Sequence, residues 1–242
     1  MRALASAGAR VLGVDVRETG AAELGQAVTD GSGDYAHELG DVAIKDELEA
    51  IRARLTDRWG AATILVCNAG IDQPPQGAAT TRRVEEIPSD EFAQTITVNL
   101  LGTFHSIQVF GAPMAAAGKG SIVTIGSVYA SQAPDPSLYD HIPVDPPFLK
   151  PPAYGASKAG AVNLTRYFAR LWGPRGVRVN ALSPGGARAD QDEEFVRKYC
   201  ARVPLERMAD PADLGGPLVF LASDASSYVS GQELRVDGGL AA

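Results

Sequence analysis

Cysteine is nearly missing: Cys67 and Cys200 are the two present in 242 residues. That is too few for a disulfide framework or a cysteine-based zinc site. Histidine is as scarce, and His37, His105 and His141 stand at no metal-ligand spacing. No apolar run reaches the ~18 residues that a membrane span needs; the longest strong one lies around Ile64 to Cys67. Positive charge is in deficit, 22 Lys and Arg against 29 Asp and Glu, for a formal net charge of −7. A nucleic-acid binder needs a cationic face to displace counterions, so that class is set aside. The opening Met1–Ala7 has the composition of a leader, but Ser6, Gly8, Arg10 and Asp15 interrupt any apolar core for one. What these absences leave is a metal-free, cytoplasmic enzyme or binding domain, of a length that suits one α/β domain.

Short apolar runs alternate with helical stretches along the whole chain. The runs are Arg10–Val16, Ala62–Cys67, Ser121–Ile125, Val177–Leu182 and Glu233–Val236, with a weaker extended piece near Gly33–His37. They are rich in Val, Ile and Leu and mostly lack strict alternation, which is how strands covered on both faces of a parallel sheet read. Helical periodicity marks Glu18–Val28, Ala43–Arg58, Asp90–Ala117, Tyr154–Trp172 and Pro211–Ser223. The βαβα order predicts a Rossmann-like, doubly wound parallel sheet with helices on both faces, in a single domain spanning residues 1–242. One segment breaks the pattern. Residues 132–152 hold seven prolines together with Asp135, Asp140, His141, Asp145 and Lys150. Proline removes backbone donors and fixes φ, so this stretch is read as a lid rather than helix or central strand.

Small and polar residues collect where the strands end. Asp15 closes the first run, Asn68-Ala69-Gly70 follow the second, Gly126-Ser127 follow Ser121–Ile125, and Pro184-Gly185 follow Val177–Leu182. Turns need such residues anyway, but in open α/β sheets ligands bind outside the carboxyl ends of the strands. Two helices sharpen the expectation. A stripe through Phe92, Ile96, Asn99, Thr103, Ile107, Phe110 and Met114 puts Asn99 among residues that should be buried, either tying down a loop or holding a water or reacting group. Tyr154 and Lys158 stand four apart on one helix face that continues through Ala161, Thr165 and Phe168.

These residues together resemble the short-chain dehydrogenase/reductase family, in its compact single-domain branch. The resemblance rests on Asn68-Ala69-Gly70-Ile71, Val98-Asn99-Leu100-Leu101-Gly102, Ile125-Gly126-Ser127-Val128 and Tyr154-Gly155-Ala156-Ser157-Lys158. Val179-Asn180-Ala181-Leu182-Ser183-Pro184-Gly185, Ser230-Gly231-Gln232 and Val236-Asp237-Gly238-Gly239 extend it over nearly the whole length. It implies an NAD(P)-dependent oxidoreductase acting on CH–OH groups. Carried onto this chain, it makes Tyr154 the general acid/base, Ser127 its partner at the substrate oxygen, Lys158 the electrostatic tuner that also meets the nicotinamide ribose, and Asn99 the anchor of a relay water. A free tyrosine titrates near ~10; the neighbouring ammonium is expected to lower that value and make the phenol a base. Asp15 implies a ribose contact that favours NAD over NADP, with Arg17 close enough to offset part of the repulsion. Asp41 and Val42 resemble the family's adenine-contacting pair, Asn68, Ala69 and Gly70 its cofactor-lining turn, and Pro184 and Gly185 the backbone beside the carboxamide.

Four departures from the family pattern stand out. The first strand and its glycine-rich loop are absent, and Ala3–Ala7 with Gly8 reads as the tail of the helix that should follow them. Gly20, Gly25, Gly31 and Gly33 follow no suitable strand, so the fold is expected to be truncated at its N-terminus, with backbone groups beside the Arg10–Val16 and Ala62–Cys67 strands left unpaired and weak cofactor affinity. Cys67 replaces a frequent Asn, and Ala189 a frequent Thr, which leaves Arg188 or another group to take over that contact. The Ser127–Tyr154 separation is long, and the surplus is the proline-rich lid, expected to fold over the substrate. Its polar set, with the resemblance to relatives of bacterial surface-sugar pathways, points to a secondary alcohol of a sugar or sugar phosphate, with a generic alcohol, a polyol or a keto acid as alternatives. The helices at Asp90–Ala117 and Tyr154–Trp172 are expected to form a subunit interface in a homodimer or homotetramer, with no nucleic-acid or membrane partner. The alternative is a non-catalytic binding or regulatory protein, suggested by the missing loop; a sugar-nucleotide epimerase or dehydratase would need a further C-terminal substrate domain.

Overall fold

The computed structural model describes residues 1–18, 25, 34–72 and 81–242. Each Val/Ile/Leu-rich run becomes a strand: β1 Val11–Asp15, β2 Tyr35–Leu39, β3 Ile64–Cys67, β4 Gly120–Ile125, β5 Val177–Pro184 and β6 Glu233–Val236. All pairings are parallel, in register Leu65↔Ile122, Val123↔Asn180 and Leu182↔Leu234 among others. β-Branched and apolar side chains on both faces explain why β4 and β5 are almost wholly buried.

Among the described residues the strands form two ladders: β1 pairs with β2, and β3–β4–β5–β6 make a four-stranded sheet. No hydrogen-bonded ladder joins β1 to β3. Side chains alone link them. Leu12, Val14 and Leu65 share one apolar cluster with Leu48, Ile51, Val109 and Phe110. Val11, Tyr35, Ile64 and Val66 share another with Leu4, Ala5 and Ala222. The split lies where the sequence pattern placed the unpaired strand edges, although the Tyr35 hydroxyl, buried without a hydrogen-bond partner, was not foreseen.

Among the described residues, six helices with defined bounds flank the strands. α1 is Arg2–Ser6, with Gly8 just beyond it at φ 88°, a left-handed conformation that only glycine adopts freely. α2 is Lys45–Trp59. Residues 89–117 form one long helix, α3, running from Ser89–Ile96 through π-helical turns at Thr97–Leu101 and Ile107–Gly111 to Ala112–Ala117. α4 is Pro152–Trp172, whose buried face carries Lys158, Ala161, Thr165 and Phe168. α5 is Glu193–Cys200 and α6 is Gly215–Ala222, the latter entered through a short 3₁₀ turn at Pro211–Leu214.

Three expectations need adjustment. The stripe on α3 is buried from Asn99 to Met114, but Phe92 is exposed at 39%. α5 was not foreseen, although its sequence carries the signals: Asp192 caps Phe195 N at 2.8 Å, acids fill the first turn and Arg197-Lys198 the last. Beyond Glu18, the helix expected at Glu18–Val28 lies outside the described residues apart from Gly25, as do Gly20, Gly31 and Gly33.

Candidate active site

The carboxyl ends of β3, β4 and β5 open beside the N-terminal half of α4, and side chains from all of these elements converge there. Asn99, 1% exposed in the first π-helical turn of α3, sits at the centre. Its Oδ1 accepts from Ile71 N at 2.7 Å, and its Nδ2 donates to Ile71 O at 3.1 Å and Ser157 Oγ at 3.0 Å. Ser157 passes its own proton to Tyr154 O at 2.7 Å. Asn99 therefore stitches the loop after β3 to the first turn of α4. Gly70 is part of the same fit, since a Cβ there would stand 3.2 Å from Asn99 Oδ1 and 3.7 Å from Lys158 Nζ.

Lys158 is buried, and its Nζ donates to Ile125 O, the last carbonyl of β4, at 2.8 Å. Burial is the main force on it and lowers its pKa to about 8; Asp72 pulls the other way. Cys67 lies close enough to feel the ammonium, but burial dominates and pushes its thiol up to about 12, which favours the protonated form. Ser127, buried one residue past Gly126, accepts from Tyr129 N at 3.2 Å, and its side chain is within hydrogen-bond reach of the Tyr154 phenol. Close packing sets this turn: a Cβ on Gly126 would lie 2.2 Å from Ser183 Oγ.

Tyr154 is half-buried, with Lys158 Nζ 5.8 Å from its ring centre. The expected acidification by Lys158 is not the dominant effect on this residue. Burial raises the phenol's pKa first and Asp72 raises it further, while the Ser127 hydrogen bond lowers it. The ammonium spends a donor on Ile125 O and is itself destabilised by burial.

Asp72 and Lys150 are the residues whose place here sequence reasoning missed. Lys150 Nζ bonds Asp72 Oδ2 at 2.5 Å and lies 5.3 Å from the Tyr154 ring centre, opposite in sequence to Lys158 but on the same aromatic ring. Both were visible, one in the Gly70–Ile71–Asp72 turn and one at the end of the proline-rich segment; nothing in sequence spacing could pair residues 78 apart.

The proline-rich segment docks rather than swings free. Leu138, Tyr139 and Phe148 are buried with Tyr199, Val203 and Met208 in a separate apolar cluster. Polar ties surround it: His141 Nε2 to Asp192 Oδ1 at 2.8 Å, Arg202 to Asp135 at 2.9 Å, and Lys198 to Asp140. α5 thus becomes the seat of the insert. Through Tyr199 it also reaches the end of β5, where the phenol accepts from Gly186 N at 2.5 Å. Arg188, expected to replace a missing threonine contact, pairs with Glu193 at 3.1 Å.

The remaining cofactor candidates lie at the ends of β1, β2, β3 and β5. Asp15 ends β1 with its side chain 55% exposed, Oδ1 accepting from Arg17 N at 3.0 Å and 3.8 Å from Arg17 Nε. Asp41 caps Ala43 N at 2.8 Å, and Val42 packs on α3 where a Cβ on Gly102 would strike its Cγ2 at 2.5 Å. Asn68, Ala69 and Gly70 are exposed at the end of β3. Pro184 and Gly185 lie beside β6, with Gly185 N donating to Val236 O at 2.9 Å. An exposed carboxylate on one strand end, a lysine with two donors left after its bond to Ile125, and glycine-lined turns fit a nicotinamide dinucleotide chemically.

A parallel sheet with this constellation on its carboxyl edge defines an oxidoreductase of the dinucleotide-binding α/β class. Residues 1–241 match the family model described as enoyl-(acyl carrier protein) reductase. L-rhamnose-1-dehydrogenase of Scheffersomyces stipitis is 33% identical over 227 residues, 91% of this chain and 80% of that protein. D-threitol dehydrogenase of Mycolicibacterium smegmatis is 32% identical over 249 residues, 98% of this chain and 85% of that one. The crystal structure of a gluconate 5-dehydrogenase from Burkholderia cenocepacia, in complex with NADP and tartrate, matches at a TM-score of 0.84 and 31% identity, covering 99% of this chain and 88% of that one. The chain belongs to the short-chain dehydrogenase/reductase family of NAD(P)-dependent oxidoreductases.

Proposed function

We propose that this chain interconverts a secondary alcohol and a ketone on a sugar or sugar-alcohol substrate, with Tyr154 as general acid/base, Ser127 and Lys158 beside it, and NAD as the preferred dinucleotide. The observation that carries the reading is the convergence of Ser127, Tyr154 and Lys158 at the end of β4, fastened through Ser157 and Asn99 to the loop after β3. The bound nicotinamide ring supplies the hydride acceptor in the oxidative direction. The protein's share is protonic: Tyr154 Oη takes the proton of the substrate hydroxyl, and Ser127 holds the substrate oxygen by hydrogen bond as its charge develops. Lys158 keeps a positive charge near the phenolate. Asn99 spends both donors and one acceptor site on protein, so a relay water would use its single remaining lone pair.

Asp15 supports NAD because an exposed carboxylate accepts from ribose hydroxyls and repels a 2′-phosphate; Arg17 beside it moderates that preference. The relatives named for rhamnose and threitol, and the structure named for gluconate, support a polyhydroxylated substrate. Exposed Phe92 and Leu101 on α3, and Tyr167 and Leu171 on α4, support a homodimer or homotetramer built through these helices, which light scattering would test. A cytoplasmic location is consistent with two unpaired cysteines.

The deciding experiment follows reduced-nicotinamide absorbance with NAD and with NADP over rhamnose, threitol, galactitol and gluconate. Turnover of at least one, faster with NAD, is expected. Silence across the panel would favour the non-catalytic binding protein.

A further inference from the structure

Lys150 is the only lysine or arginine of residues 132–152. It reaches back from the insert to the Tyr154 ring, its side chain 10% exposed, and it arrives already bonded to the Asp72 carboxylate. We propose that the Asp72–Lys150 pair determines specificity, setting the site for a neutral polyhydroxylated substrate and against one that carries a carboxylate. This rests on Tyr154 being the acid/base of the proposed function, which fixes where the substrate's reacting carbon lies.

The chemistry follows from the charges. A lone buried lysine beside the catalytic tyrosine would attract an anionic substrate. Here the ammonium is matched by a carboxylate at 2.5 Å, so Lys150 does not stand in the cleft as a free positive charge. A substrate carboxylate could reach Lys150 only by lying beside Asp72, a like charge, or by displacing it. A neutral vicinal diol meets neither obstacle. Its hydroxyls can donate to free lone pairs of Asp72 and accept from the two Lys150 donors left over. Asp72 also acts on the whole tyrosine cluster, raising the pKa of Tyr129, Tyr139 and Tyr154 together, so its negative charge reaches the space the substrate must enter. The neighbouring basic groups give no relief to an anion. Lys198 is bonded to Asp140, Arg202 to Asp135 and Arg188 to Glu193. Lys158 is directed to Ile125 O.

Threitol and threonate test this cleanly, since they share a four-carbon skeleton and differ by one terminal carboxylate. Calorimetric binding to the wild-type chain in the presence of dinucleotide should favour threitol at least about tenfold. Asp72→Asn leaves Lys150 unpaired, so threonate should tighten about tenfold and threitol weaken, with the same inversion in KM when turnover is followed. Should Asp72→Asn prove unfolded by circular dichroism, Lys150→Gln serves instead: it leaves Asp72 unpaired and should reject threonate still more strongly. Equal binding of the two ligands by the wild type, or an unchanged ratio in the folded variant, would overturn the proposal. If threitol is preferred but neither compound is oxidised with NAD or NADP, the specificity assignment stands and the catalytic reading falls.

Discussion

The molecule divides into a four-stranded half, β3–β6, and a two-stranded half, β1–β2, and the two are built to different standards. In the first, β4 and β5 are almost fully buried, and each strand end is locked by side-chain bonds: Asn99 to Ile71, Lys158 to Ile125, Ser183 Oγ to Glu233 Oε1 at 2.7 Å. In the second, the polar residues at the strand ends bond locally, exposed Asp15 to Arg17 and half-buried Asp41 to Ala43. Proton transfer needs atoms held to fractions of an ångström, whereas adenosine recognition tolerates a looser frame. The contrast supports the proposal that chemistry belongs to the four-stranded half and cofactor choice to the two-stranded one.

The sharpest way to break that division is Tyr154→Phe. Removal of the proposed general acid/base should cut turnover by about 10²–10⁴ while circular dichroism and dinucleotide binding stay as in the wild type. Unchanged turnover would remove the chemistry from this half altogether. Asn99→Ala comes next. It abandons Ile71 N, Ile71 O and Ser157 Oγ inside the protein, so stability should fall by about 2–3 kcal/mol by urea unfolding.

In the two-stranded half the expected effects are smaller. Asp15→Asn removes one exposed charge, and the NADP/NAD ratio of kcat/KM should rise about tenfold with kcat at saturating cofactor unaltered. A matching loss of kcat would show that this strand end governs chemistry too. Across the divide, Asp72→Asn should move the rising limb of the oxidation profile, set by Tyr154 as base, toward lower pH. The sign is set by charge: Asp72 disfavours phenolate and raises the Tyr154 pKa, so its loss lets the phenol ionise at lower pH.

Much of this was legible in the residues, for identifiable reasons. Buried parallel strands have no solvent face, so β4 and β5 announced themselves as unbroken apolar runs. Asn99 betrayed itself as the one amide on a buried stripe, and the structure bonds it to the loop after β3. Tyr154 and Lys158 were paired by helix geometry. What stayed hidden depends on contacts distant in sequence. The 78-residue separation of Asp72 and Lys150 has no local signature, and the balance of burial against charge on Tyr154 depends on Asp72. α5 was overlooked because its apolar residues pack on the insert rather than on the sheet.

Hydrogen exchange probes the seam between the halves. In β1, Val11 N bonds Asp34 O at 2.8 Å and Asp15 O receives Gly40 N at 3.0 Å, so the alternating Leu12 and Val14 backbone groups face away from β2. In β3, Thr63 O receives Ser121 N at 2.9 Å, which turns Leu65 toward β4 and the Ile64 and Val66 groups away from it. Those four amides therefore face the seam, where the described residues show no ladder. Exchange depends on an intact hydrogen bond as well as burial, so Leu12, Val14, Ile64 and Val66 should exchange several-fold faster than Leu65, roughly the difference between locally and globally protected sites. Equal protection would mean that backbone partners span the seam in solution, and the two halves would then be one continuous sheet.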